Sequence, residues 1–298
     1  MESTLAHSPV TDSAPVDHAA HHACLNCSAP LTDQFCARCG QSAATHRFTL
    51  RHLLFHDLPH SVWHVDKGLL YTLPRMVTQP GATISEYLAG RRARHFHPFT
   101  YLLILVGVSA LALSAVQLNP YTTTPDLPRL LVLTMERYMA SLIKYPAAMY
   151  VLLLPLNAIV ALWLLRPTRY NYAEMLISQA FIIGTLVILT LGVMIPLLLL
   201  LGKTAHFQPA SLLMLLLSLL YPAWVYAQLL GSTGISATGK WVRALGTSLL
   251  QMVVMLLSCI LFMVYIGVSL ARQDPSLLDE FKAKSAPKQT TAQPAPQR

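Results

Sequence analysis

From residue 98 onwards the chain is dominated by five long apolar stretches that contain no Asp, Glu, Lys, Arg or His. A helix needs about 20 apolar residues to cross the roughly 30 Å hydrocarbon core of a bilayer. Because backbone hydrogen bonds must be satisfied inside lipid, such stretches cross as helices. We therefore predict an all-α membrane domain over residues 98–271 with about five transmembrane helices. The predicted spans are 98–118, 145–165, 175–202, 210–231 and 244–271.

Composition agrees with a membrane protein. Hydrophobic residues make up 54% of the chain and charged residues 11%, whereas about 25% of the residues of an ordinary soluble domain are charged. The Lys and Arg residues are spread among loops, so the net charge of +8 does not indicate nucleic-acid binding. The polar end segments, 1–23 and 272–298, are predicted to be disordered tails.

The charges around the spans predict the orientation of the chain. Residues 1–23 lack the apolar core and basic start of a secretory signal, so we expect a cytoplasmic N-terminus. The short loops then placed in the cytoplasm carry four basic residues, in agreement with the positive-inside rule. These residues are Arg166, Arg169, Lys240 and Arg243. Residues 127–143 fit either an amphipathic surface helix or a sixth short element that would return the C-terminus to the cytoplasm, and five spans is the favoured interpretation.

Four cysteines with the spacing Cys-x2-Cys-x8-Cys-x2-Cys precede the apolar region. Each Cys-x2-Cys turn aims two thiolates at one point, which is what a tetrahedral zinc ion needs. Thiols stay reduced in the cytoplasm, so we favour one structural zinc ion per chain over an iron site, a redox dithiol or disulfides. The predicted ligands of this small zinc ribbon (residues 24–41) are Cys24, Cys27, Cys36 and Cys39.

Two other residues of the ribbon have predicted roles. Gly40 follows the second cysteine pair, where a knuckle needs a residue that tolerates positive φ. Phe35 is expected to pack over the metal site. So short a unit cannot build a core, and we expect it to depend on metal for folding.

Residues 46–97 alternate polar and apolar groups at helical spacing and are predicted to form short amphipathic helices at the membrane interface. The segment ends in a basic cluster beside the first span. We predict that Arg91, Arg92 and Arg94 anchor there to anionic lipid headgroups.

Four histidines in this segment recur every four residues, a spacing that brings neighbours onto one helix face. They are His52, His56, His60 and His64. We favour a polar interfacial face for them. The alternative is a second metal site or a pH sensor, since histidine titrates near neutrality and paired histidines at this spacing can bind metal.

The order of motifs resembles that of the DUF3667 family of bacterial membrane proteins over residues 24–110. The motifs are the ribbon with Gly40-Gln41, Asp66-Lys67-Gly68, Thr72-Leu73, Pro80-Gly81, Glu86-Tyr87-x-x-Gly90-Arg91-Arg92 and His97-Pro98-Phe99. His97 stands where the family pattern leads us to expect Asn. The resemblance implies a zinc-ribbon-containing, multi-pass protein of the bacterial inner membrane and implies no activity.

The sequence contains no catalytic constellation, so it does not support an enzyme. We predict a scaffold that binds membrane lipids and a protein partner through the cytoplasmic ribbon and the connector, the predicted helices of residues 46–97. An oligomer is compatible with this role. The alternative is a transporter or channel subunit with a metal-sensing or gating ribbon. Amides Asn157, Gln179 and Gln251 in the spans fit either interhelical hydrogen bonds or a polar substrate path. A third class, a lipid-modifying enzyme, would use the histidine segment.

Overall fold

The computed structural model describes residues 23–53, 68–116, 127–201 and 207–285, and within these ranges its regular secondary structure is helical. After a single helical turn at Leu50–His52, two short helices precede the apolar region. The helices are α1 (Leu69–Thr78), α2 (Pro80–Leu88), α3 (Pro98–Val116), α4 (Arg129–Lys144), α5 (Pro146–Leu164), α6 (Tyr172–Leu201), α7 (Phe207–Leu229), α8 (Ala237–Gln273) and α9 (Ser276–Ser285).

Helix α6 is the centre of the bundle. It packs against α3, α5 and α7, and α8 packs against α7 and α5. Large side chains such as Tyr101, Phe181 and Tyr226 are fully buried between these helices. Other apolar side chains point outwards, among them Leu257 and Leu261 of α8. Helices that are apolar on all sides and expose such residues are typical of a membrane domain.

Three helices are long and apolar enough to cross a membrane: Tyr172–Leu201, Leu212–Ser232 and Ala237–Gln273. Two others, over Pro98–Ala112 and Tyr150–Leu164, are apolar but shorter. The prediction of an all-α, membrane-type fold is therefore confirmed, while length and composition identify three spanning helices where the sequence predicts five.

The segment 127–143 forms α4, a charged helix that is not among the membrane-spanning candidates. Helix α4 packs along the C-terminal half of α8 and against α9. Leu130, Ile266, Leu270 and Leu277 form a small core there, separate from the main one.

The C-terminal region differs from the prediction of a disordered tail over 272–298. Helix α8 continues to Gln273, and α9 follows it with Leu277 buried at 4% exposure. The physical reason is a helical spacing of apolar residues, Leu277 and Phe281, that covers the exposed flank of α4 and α8.

Helix α2 lies against the end of the bundle. Ile84 and Tyr87 of α2 are buried, and α2 packs against α6 and α7. The backbone N–H of Gly81 donates to Gln228 Oε1 at 2.8 Å. A Cβ on Gly81 would lie 2.2 Å from the Cβ of Gln228, so the Pro80-Gly81 motif allows two helices to approach closely.

Candidate metal centre

The cysteine module (residues 23–42) consists of two turns with the same hydrogen bonds. Ser28 N–H donates to the Cys24 carbonyl and Gly40 N–H donates to the Cys36 carbonyl, each at 2.8 Å. The residue that closes each turn has a left-handed backbone, with φ of 59° at Ser28 and 73° at Gly40. The prediction of positive φ at Gly40 is confirmed, and Ser28 adopts the same geometry.

The two turns bring the four cysteine sulfurs together. All four Sγ atoms lie within 4.8 Å of one another, and no disulfide joins them. The Cys24–Cys39 and Cys27–Cys36 sulfur pairs are each 3.5 Å apart. A tetrahedral zinc site with Zn–S bonds near 2.3 Å requires sulfur pairs about 3.8 Å apart. The module therefore has the ligand set and spacing for a tetrahedral metal ion.

The surroundings of Cys27 and Cys39 shift the pKa values of the two thiols in opposite directions. Burial acts to raise the pKa of the Cys39 thiol, but hydrogen bonds from the Gln41 backbone and the Asn26 side chain outweigh it and lower the pKa to about 6. At Cys27 the backbone hydrogen bond from Ala29 acts to lower the pKa, yet burial and the neighbouring sulfurs raise it to about 11. The cysteines of the cluster therefore differ in acidity. Binding of a cation would displace the remaining protons.

Gln41 fixes the module to the loop after α2. Its Nε2 donates to the Gly90 carbonyl at 2.7 Å, and its Oε1 accepts from the N–H groups of Arg92 and Ala93 at 2.9 and 3.1 Å. Gly90 has φ of +94°, and a Cβ there would lie 2.7 Å from the Leu25 side chain. Docking thus requires glycine at this position.

A second tether joins the segment just after the module to the start of α6. Arg47 donates through Nε and Nη2 to the two oxygens of Glu174, at 2.7 and 2.8 Å. Glu174 is buried at 3% exposure. Its Oε2 also accepts from Asn171 N–H, while Asn171 Oδ1 accepts from Glu174 N–H. This reciprocal pair is a capping box that begins α6. The guanidinium of Arg47 offsets the negative charge of Glu174.

Arg92, one of the predicted lipid anchors, has partners inside the protein. Its Nη2 donates to the His46 carbonyl at 2.8 Å, and its guanidinium lies 3.6 Å from the centre of the Phe48 ring. Arg91 and Arg94 instead line a cleft beside the cysteine module.

The histidine series falls largely outside the described residues. His52 ends the helical turn Leu50–His52, and His56, His60 and His64 lie in the undescribed range 54–67. The grouping of the four therefore stays a prediction.

His95 is buried next to the cleft. Its ring contacts the rings of Tyr71 and Tyr87 edge to face, and its Nε2 lies 3.5 Å from Glu86 Oε2. Glu86 also accepts both hydrogen bonds of Arg75, at 2.9 and 3.0 Å. Burial lowers the pKa of His95, Glu86 acts against this shift and Arg75 adds to it.

Two of the three amides singled out in the spans, Gln179 and Gln251, meet inside the bundle at Tyr226. Its hydroxyl donates to Gln251 Oε1 at 2.7 Å and accepts from Gln179 Nε2 at 3.0 Å. Gln251 Nε2 donates to the backbone carbonyl of Asn157 at 2.8 Å. Asn157 Oδ1 is buried with no hydrogen-bond partner in the described ranges, and the side chain lines a cavity of about 190 Å³.

Several of these contacts could not be found by sequence reasoning. Glu174 marks only the edge of a span in the sequence, although the spacing Asn-x-x-Glu before an apolar run is the signal of a capping box. The partners of Gln41 and His95 are far away along the chain, and no local pattern identifies them.

The segment that the module contacts through Gln41 also matches a known family model. Residues 66–109 match a family model described as "Protein of unknown function (DUF3667)". No curated protein and no solved structure matches the chain. The described part of the match contains α1, α2, the Gly90 loop and the first part of α3. The match supports assignment of this chain to the DUF3667 family, as the order of its motifs predicts.

Proposed function

We propose that this protein is a five-span protein of the bacterial inner membrane whose cytoplasmic cysteine module holds one structural zinc ion and binds a protein partner. The contacts at the module end of the bundle favour five spans. Glu174 begins α6 there, Gln228 ends α7 against α2, and Arg243 near the start of α8 donates to the Leu164 carbonyl at the end of α5, at 3.3 Å. The consecutive apolar helices therefore alternate in direction.

Zinc is the metal best matched to the site. Four cysteine sulfurs fill a tetrahedral sphere and leave no open position for a substrate, which is the pattern of structural zinc. The module has few apolar residues, so metal would supply much of its folding free energy. Zinc would hold Gln41 in place, and Gln41 in turn holds the module on the bundle.

The observation that carries the partner-binding role is the exposure of Phe35. Its place before the third cysteine predicts that Phe35 covers the metal, yet 61% of this residue is exposed on the outside of the module. A rigid aromatic side chain on a fixed, otherwise polar unit is the usual anchor of a protein interface. The module would thus present one apolar contact to a cytoplasmic protein while its other side is held by Gln41.

The test is site-specific photocrosslinking in intact cells, with benzoylphenylalanine at position 35. The matched control is the same group at Leu70, which is 85% exposed on α1. We expect a discrete crosslinked protein from position 35 only, and its loss when Cys24 and Cys27 are changed to Ser. Equal crosslinking from both positions, or none from position 35, would argue against a partner at this surface.

The amide cluster within the bundle favours a second candidate, a transporter or channel subunit. Asn157, Gln179 and Gln251 line the cavity of about 190 Å³ between α5, α6, α7 and α8. Saturable solute flux in proteoliposomes, reduced by Gln251→Leu and dependent on the metal, would favour this function. Absence of flux with intact protein would leave the amides as interhelical hydrogen bonds.

A further inference from the structure

A cleft of about 380 Å³ separates the cysteine module from the connector helices. Arg38 and two of the cysteines line it on the module side, and Arg91, Arg94 and His95 line it on the side of the matched family segment. The cleft is therefore formed jointly by the two parts of the chain that the Gln41 contacts hold together.

Three arginines of the cleft have no partner among the described residues. The side chains of Arg38, Arg91 and Arg94 make no hydrogen bond or ion pair in those parts of the chain. Nearby arginines behave differently, since Arg75 binds Glu86 and Arg47 binds Glu174. Unpaired guanidinium groups that converge on one space are suited to bind an anion, because each offers two parallel donors to phosphate oxygens.

The charges around the cleft favour a ligand with net negative charge. Glu86 is already neutralised by Arg75. Four thiolates around a divalent ion leave two negative charges on the metal centre, and the three arginines exceed these by one positive charge. The metal centre alone thus does not account for all three arginines.

A buried polar atom beside the cleft also lacks a partner. The side chain of His95 is 3% exposed, and its Nδ1 has no hydrogen-bond partner in the described ranges. Buried polar atoms in this state are uncommon and often mark the place of a ligand or an ion.

We propose that this cleft binds the phosphate group of an anionic ligand, either the headgroup of an acidic phospholipid or a soluble phosphate. The proposal rests on the metal-loaded module of the proposed function, because the module supplies Arg38 and one wall. The other wall directly precedes α3, so the cleft lies at the helix ends, at the level where headgroups meet a spanning helix.

The experiment measures thermal unfolding of the zinc-loaded full chain in dodecyl maltoside at fixed ionic strength. Phosphatidylglycerol, phosphatidylcholine and inorganic phosphate are titrated separately, and apparent Kd values follow from the shift of the midpoint. We expect stabilisation of wild type by phosphatidylglycerol and little by phosphatidylcholine. R91Q/R94Q should weaken binding about tenfold or more, and Arg38→Gln should weaken it in the same direction.

The control variant R129Q/R137Q removes the same charge from α4, away from the cleft. It should bind like wild type, and equal weakening in both double variants would overturn the proposal. Stabilisation by the lipid alone assigns the site to headgroups, and a variant-sensitive effect of inorganic phosphate assigns it to a soluble ligand. Stabilisation by neither, or equal stabilisation by phosphatidylcholine, overturns it.

Zinc content measured in the same samples separates the two proposals. A wild-type chain without zinc contradicts the proposed function. A wild-type chain with zinc but without phosphate binding contradicts only this inference. If R91Q/R94Q does not retain zinc, the comparison is made with Arg38→Gln and with the single variant Arg94→Gln.

Discussion

Ser28 and Gly40 occupy equivalent positions in the two turns of the cysteine module, and both have a left-handed backbone. This conformation costs an L-residue about 1–2 kcal/mol, whereas glycine adopts it freely. No atom lies within 4 Å of a Cβ built on Gly40, so only backbone strain distinguishes glycine from alanine there.

We therefore predict that Gly40→Ala weakens zinc binding about fivefold to thirtyfold, because the module folds as it binds metal. Competition with a chromophoric chelator measures the affinity. Ser28→Ala is the control, since that position already holds a residue with a Cβ. If the two variants lose equal affinity, backbone strain at Gly40 is not the cause.

The ion pair between Arg47 and Glu174 predicts an asymmetric effect of its two deletions. The Glu174 side chain is 4% exposed and that of Arg47 is 63% exposed. Arg47→Ala leaves a buried carboxylate without its cation, whereas Glu174→Gln leaves an arginine that water can solvate. We expect Arg47→Ala to cost about 1–2 kcal/mol of unfolding free energy and Glu174→Gln to cost less.

Denaturant or thermal unfolding in detergent measures this difference. Arg47→Lys should recover part of the loss, since it restores charge without the two parallel hydrogen bonds. A larger loss in Glu174→Gln than in Arg47→Ala would contradict this asymmetry, because glutamine retains an oxygen that can cap α6.

Among the elements, α9 shows most clearly how a short apolar repeat contributes to the free energy of unfolding. Leu277 and Phe281 lie one helical turn apart and pack against α4 and α8. A chain ending after Gln273 exposes Leu130 and Leu270, and we predict that it loses about 2 kcal/mol or more of unfolding free energy. The control is a chain ending after Ser285, which should unfold like the full chain. Equal stability of both truncations would contradict the packing of α9.

The sequence predicts the elements that depend on local composition. The apolar runs identify the helices of the bundle because lipid and helix length impose one pattern. The cysteine spacing identifies the quartet because one turn of fixed geometry brings each pair together. The positions of α9 and of α2 were not predicted, because both depend on partners far away along the chain: Leu130 for α9 and Gln228 for α2.

In the candidate site, too, local features are predictable from the sequence and contacts between distant segments are not. The sequence predicts its four cysteines, whereas Gln41, Glu174 and His95 acquire their roles only through contacts between distant segments. For Phe35 the local prediction is wrong, because the side chain expected over the metal is exposed on the outside of the module.

For the whole molecule, the arrangement places the cysteine module at one end of the bundle and α4 with α9 around the C-terminal part of α8. The five alternating spans that we propose would put these two groups on opposite sides of the membrane. We predict that alkaline phosphatase fused after Ser285 is active outside the cytoplasm and that the same enzyme fused after Gly234 is inactive. Activity at the second position, or inactivity at the first, would contradict the five-span topology.

Elemental analysis of the detergent-purified protein decides whether the cysteine quartet holds a structural zinc ion. The comparison is wild type with the double variant C24S/C27S. We expect about one zinc per chain in wild type and none in the variant, because four sulfurs within 4.8 Å of one another form one closed tetrahedral site. Wild-type protein without metal, or a variant that retains its zinc, would contradict a structural zinc site at these cysteines.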